Sequence, residues 1–155
     1  MRLFKNFMPD KNTIKKAQKD KAEGKSASTQ AGEFVHDEIE KVREGEHGVR
    51  SAKQAIAIGL SEARRAGVKL PPPKNGSPAL KKKAKQDEEK AKSHKPVSQK
   101  RSRARIKALK KEPTNTVSSK ALSKQTKSAA KQRSAASRSA SAKKAAKTRS
   151  KNKSR

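Results

Sequence analysis

No cysteine, tryptophan or tyrosine occurs in the 155 residues, and the only aromatic side chains are Phe4, Phe7 and Phe34. Without cysteine, disulfides and thiolate metal ligands are excluded, so stability must come from packing and secondary structure. Without an aromatic after Phe34, the rest of the chain has no platform on which unpaired bases could stack, which removes the commonest route to sequence-specific binding of single strands. Apolar runs are equally scarce. The opening MRLFKNFM is interrupted by Lys5 and Asn6 and followed by Pro9, too short for a signal peptide. Nothing approaches the ~20 apolar residues that span a bilayer. Neither secretion nor membrane insertion is expected.

Acidic side chains are missing where basic ones are densest. Residues 113–155 hold thirteen Lys and Arg and no Asp, Glu, His or aromatic residue, and their only large apolar side chains are Val117 and Leu122. The whole chain carries 43 Lys and Arg against 14 Asp and Glu, a net charge of +29, but the part through Leu70 contributes only +5 and the remainder +24. Such asymmetry predicts a small ordered module with a basic arm. Ordering a residue costs roughly 1 to 2 kcal/mol of backbone entropy, which so little apolar surface cannot offset, so residues 71–155 are expected to be disordered.

Before that arm the pattern is helical. Asp10 to Glu23 place Ile14 and Ala17 on a thin apolar line that stops at Gly24, predicting a short, weak helix within an N-terminal extension, residues 1–27. Ser28 or Thr29 is expected to cap a better helix over about 30–44, in which Ala31, Phe34, Val35, Ile39 and Val42 recur at a 3.6-residue period. Its other face is acidic, with Glu33, Asp37, Glu40 and Glu44, and Asp37 is four residues from Lys41. A second helix over about 52–66 opens with the capping box Ser51 to Gln54 and closes at Gly67, before Pro71, Pro72 and Pro73. Ala55, Gly59 and Ala63, four apart, make one side nearly flat, which would let the preceding helix approach closely, and Ile56, Ile58 and Leu60 flank it. The fold class expected is mostly α: a helical hairpin over 28–70, or a three-helix unit, followed by the long basic tail. Its apolar content is small, so the strip Ala55, Ile56, Gly59, Leu60 and Ala63 is a candidate protein-interaction or homo-oligomer surface. Within the tail, 79–92 and 99–112 have the composition of potential helix without an apolar face.

Little in the chain suggests chemistry. His36 and Glu40 lie one helical turn apart, but no HExxH motif and no cysteine accompany them, so no metal site is expected. The serines lie in basic surroundings without an oriented histidine, and GEHG lacks the lysine and serine of a phosphate loop. No catalytic residue, cofactor or small-molecule substrate is therefore expected. Charge points instead to nucleic acid. Binding phosphates releases condensed counterions and needs no particular fold. The candidate contacts are Lys100, Arg101, Arg103, Arg105, Lys107, Lys110 and Lys111, then Lys131, Arg133, Arg138, Lys143, Lys144, Lys147 and Arg149. The acidic helix face could also clasp the protein's own basic tail in competition with DNA. Ser51, Lys53 and Gln54 are residue types found at the start of a recognition helix, but the acidic helix before them opposes close approach to a backbone.

The stretches TQAGEFV, VREG-x-HG and KQAIAIGLSEARRAG resemble domain of unknown function 6496, a family of small bacterial proteins, over about Met8 to Pro73. The resemblance implies a bacterial cytoplasmic setting and a start at Met8 with residues 1–7 as an upstream extension. It lends no catalytic or binding residue. The Lys, Ala and Ser tail is similar in composition to the arms of bacterial histone H1-like proteins. Together these features predict a non-enzymatic, nucleoid-associated protein that binds duplex DNA through phosphates without sequence preference. The alternative is an adaptor whose hairpin binds itself or a protein partner, with the tail as a tether; a third is association with the ribosome or structured RNA.

Overall fold

The computed structural model describes residues 9–74, 76–93 and 98–153. Among them are seven α-helices and no strand: α1 (Lys11–Ala22), α2 (Ala27–Arg43), α3 (Ala52–Arg65), α4 (Pro78–Ser93), α5 (Gln99–Leu109), α6 (Ser119–Lys131) and α7 (Ala135–Lys153). A 3-10 turn at Asn115–Val117 precedes α6. The chain divides into two compact units at the Ser118–Ser119 junction. The starting methionine and His94 lie outside the described residues.

In the first unit, α2 and α3 form the expected hairpin, and local chemistry sets its ends. The Ser51 hydroxyl accepts from the Gln54 N–H (3.3 Å), while the Gln54 side-chain Oε1 accepts from the Arg50 N–H (2.8 Å). At the other end of α3, Gly67 adopts φ 93, and the Val68 N–H donates to the Ala63 carbonyl (3.0 Å), the six-to-one bond of a left-handed cap. Val68 is buried beneath it. The start of α2 lies earlier than expected. Ser26, rather than Ser28 or Thr29, is the cap: its hydroxyl accepts from the Thr29 N–H (3.4 Å), and the Gln30 amide donates back to the Lys25 carbonyl (2.9 Å).

Small residues let α2 and α3 approach closely. A side chain at Gly59 would place its Cβ 2.6 Å from the Val35 Cα, and Ala55 and Ala63 have no exposed surface. Two apolar clusters follow. Ala31, Phe34, Ala63, Val68 and Leu70 surround Ala17 of α1, so α1 closes a three-helix unit. Val42, Val49, Ala55 and Ile58 meet Leu109 and Val117, which belong to the predicted tail.

That second cluster departs from the expectation of disorder for residues 109–117 of the tail. Residues 109–117 return to the α2–α3 turn as a strap: the Gly48 N–H donates to the Leu109 carbonyl (3.0 Å), the Val49 N–H to the Pro113 carbonyl (3.0 Å), and the Thr116 hydroxyl to the Val49 carbonyl (2.7 Å). Val117 is wholly buried. Two well-placed apolar residues and a set of backbone bonds suffice, because the hairpin already supplies the other wall. Polar contacts instead fasten α4. Asp87, 1% exposed, accepts from the Ser61 hydroxyl (2.6 Å) and the Lys83 ammonium (2.8 Å), and pairs with Arg65 at 3.7 Å. Burial opposes its ionisation, but the Lys83 and Ser61 bonds outweigh that and hold its pKa below the ordinary value.

The second unit contains α6 and α7. Among the described side chains neither has a buried one. Their helices follow from composition: Ala, Lys and Arg are strong helix formers, and neither Gly nor Pro occurs after Pro113. Large apolar side chains govern packing, but a run without helix breakers needs few of them to be helical.

Candidate nucleic-acid interface

The candidate cations sort by exposure and by helix face. On α5, Ser102, Arg105, Ile106 and Leu109 are half-buried or buried, whereas Lys100, Arg101, Arg103, Lys107 and, just beyond the helix, Lys110 and Lys111 are exposed. At 100° per residue, Lys100, Arg103, Lys107 and the continuation to Lys111 fall within one stripe opposite Arg105 and Leu109. Ala104 and Ala108, also exposed, border that stripe with minimal bulk. In the second unit Lys131 ends α6, and Arg138, Lys143, Lys144, Lys147 and Arg149 are exposed along α7. Arg133 lies between the two helices. Its guanidinium donates to the Ser137 hydroxyl (3.1 Å) and carbonyl (3.0 Å), bridging onto the first turn of α7.

Arg105 differs from its neighbours. It is half-buried, and its charge is felt with those of Arg65, Glu62, Glu38 and Asp87. Burial, then Arg65, lowers its pKa, though a guanidinium remains charged at any physiological pH. It faces the folded unit, so the sequence grouping of Arg105 with the solvent-facing cations of α5 is corrected.

Two buried acidic groups of the first unit went unnoticed in the sequence. Glu38 and Glu62 are 1% and 2% exposed. Both Glu38 carboxylate oxygens and Oε2 of Glu62 are buried without a hydrogen-bond partner. Burial pushes the Glu62 carboxyl up to about 7, Lys41 and Arg65 pulling the other way and Glu38 adding to the rise. His47, also buried, donates from Nδ1 to the Gly48 carbonyl (3.2 Å) and has Nε2 3.6 Å from Glu38 Oε2. Burial opposes its imidazolium, but the Glu38 carboxylate outweighs that and raises its pKa. A signal was present. Glu38 stands four residues after Phe34 and four before Val42, and Glu62 four after Ile58, so both occupy core faces despite their charge.

The acidic residues marked in the sequence stay near the surface of α2: Asp37 pairs with Lys41 at 2.7 Å and Glu40 with Arg43 at 3.0 Å. His36 is exposed. Among the described residues, no group of three or more His, Asp or Glu side chains is placed to hold a metal ion. No helix among them is long and apolar enough to cross a membrane. The candidate interaction strip is largely covered from within the chain. Ala55, Gly59 and Ala63 lie against α2, while Ile56 and Leu60 are half-buried. This corrects the expectation that the three small residues form an outward docking surface: backbone-to-backbone approach within the hairpin uses them.

No curated protein and no solved structure matches the chain. Its α1–α3 segment, residues 11–74, which holds the TQAGEFV, VREG-x-HG and KQAIAIGLSEARRAG stretches, matches the model of a family of unknown function (DUF6496).

Proposed function

We propose that this protein binds duplex DNA through its phosphates, without sequence preference and without catalysis, as a nucleoid-associated protein. The observation that carries this reading is α7, a nineteen-residue helix whose described side chains are all exposed and whose sequence holds seven Lys and Arg and no Asp or Glu. A helix that is polar all round gains nothing from packing, and its like charges repel. A polyanion relieves that repulsion and releases counterions as it binds. Duplex is favoured over single strands because no aromatic lies in the basic region to stack on a base. The adaptor alternative loses its main support, since α2 already covers most of the small-residue strip. Association with structured RNA rests on the same phosphate chemistry without a residue that favours it.

Replacing the seven basic residues of α7 with glutamine is expected to weaken binding to a random-sequence 25-base-pair duplex about tenfold at roughly 150 mM salt, measured by fluorescence anisotropy. Unchanged affinity would contradict a role for α7.

A further inference from the structure

We propose that α5 is a second, fixed DNA-contacting element, presenting Lys100, Arg103, Lys107 and Lys111 to the phosphates of a duplex while the α2–α3 hairpin holds it from behind through Arg105, Leu109 and Val117. The inference rests on the phosphate-binding reading above and assigns the family segment a task within it, that of a mount.

Three observations carry it. The first is the division of faces on α5. Arg105 and Leu109 face the folded unit, and the four cations occupy the opposite stripe, all exposed. From Lys100 to Lys107 the helix rises about 10.5 Å at 1.5 Å per residue, equal to about three phosphate steps along one strand at 3.4 Å each. Ala104 and Ala108 beside the stripe allow close approach to a backbone. The second observation is the strap. Immediately after α5 the chain is pinned by Leu109 and Val117 in the second apolar cluster and by the bonds from Gly48, Val49 and Thr116. Arg43 adds a donor to the Val117 carbonyl (3.4 Å), and Arg50 pairs with Glu112 at 3.5 Å. The third is Ile106, half-buried beside Arg105, so the inner side of the helix is marked by what it buries and the outer side by exposed cations.

A mounted helix binds with less ordering cost than a free one. Its cations are also not interchangeable. Loss of a few charges on α7 can be offset by neighbouring cations in the second unit, whereas the α5 stripe has no substitute at its position.

The test uses the full chain and the same random duplex. One variant carries Lys100→Gln, Arg103→Gln, Lys107→Gln and Lys111→Gln; a second removes the same charge from α7 with Arg138→Gln, Lys143→Gln, Lys144→Gln and Lys147→Gln. The α5 set is expected to lose about 30-fold in affinity and to flatten the salt slope by about 3.6, near 0.9 for each phosphate contact. The α7 set is expected to lose less than about fivefold. A third variant, Gly48→Ala, changes no charge but sets a Cβ 1.8 Å from the Glu112 carbonyl oxygen, so the strap must leave. About tenfold weaker binding is expected, with protection from hydrogen exchange lost over 109–117 and retained in α2 and α3. Equal losses from the two charge sets would overturn the proposal while leaving phosphate binding intact, and this comparison does not depend on how Gly48→Ala folds. Wild-type protein that fails to bind the duplex would overturn both.

Discussion

The same substitution, glycine to alanine, is expected to have opposite effects at two positions of the hairpin. At Gly59 the new Cβ would lie 2.6 Å from the Val35 Cα and 2.9 Å from the Val35 nitrogen, both backbone atoms that move only if α2 moves. Overpacking of this kind costs typically 1 to 3 kcal/mol, and alanine's better helix propensity returns about 1, so Gly59→Ala should destabilise by about 1 kcal/mol. At Gly32, also helical and without a left-handed φ, no atom lies within 4 Å of the added Cβ. There only the propensity remains, and Gly32→Ala should stabilise by about 0.5 to 1 kcal/mol. Urea unfolding followed by circular dichroism reads both. A Gly59→Ala protein as stable as Gly32→Ala would mean that α2 and α3 do not meet at this point.

Removing the charge from Glu62 should stabilise the protein at alkaline pH and leave it nearly unchanged at acid pH. The Glu62 carboxyl titrates at about 7 in the fold against an ordinary 4.5, so the folded state binds a proton that the unfolded state has released between these values. Stability therefore falls as pH rises from about 4.5 to about 7. The full difference corresponds to about 3 kcal/mol, an order-of-magnitude figure. His47 acts in the same direction: with its pKa raised, its contribution is complete below about 6.5 and is lost as pH rises through the folded value. Asp87 works oppositely, its lowered pKa giving stability above about 3.8 that is lost in stronger acid. From these three groups, maximal stability is thus expected near pH 4. Glu62→Gln should raise Tm at pH 8, with the gain shrinking toward zero by pH 4.5. A gain that is the same at both pH values would show that the Glu62 proton is not the cause.

The parts of this fold legible in the sequence are those that local chemistry decides. The capping box at Ser51 and Gln54, the stop at Gly67 with Val68 beneath it, and the Asp37–Lys41 pair each involve residues a few positions apart, and each is present. The small strip at Ala55, Gly59 and Ala63 was legible as a close-approach surface. Its candidacy as an outward surface failed because α2, the nearer partner along the chain, covers it. Ser26 was passed over as a cap because KSAST offers three hydroxyls in four residues, and only the geometry of Thr29 and Gln30 separates them. The strap is a different case. Leu109 and Val117 are isolated apolar residues in a basic run, and their partners Val42, Val49 and Ile58 lie some 50 to 75 residues away, so no local periodicity reports the contact. For α4 the search for an apolar face was the wrong search, since Asp87 attaches it to Ser61 and Arg65 of α3. At the candidate interface, sequence identified the cations but not their directions. Arg105 reads like its neighbours until its half-buried position on the inner side of the helix is seen.

Phosphate binding is tested most directly by titrating the full-length protein with a random-sequence duplex across about 50 to 300 mM salt. With ~10 phosphates engaged, the logarithm of the association constant should fall with the logarithm of salt concentration at a slope near −9. A slope near zero, or no binding at the lowest salt, would contradict it.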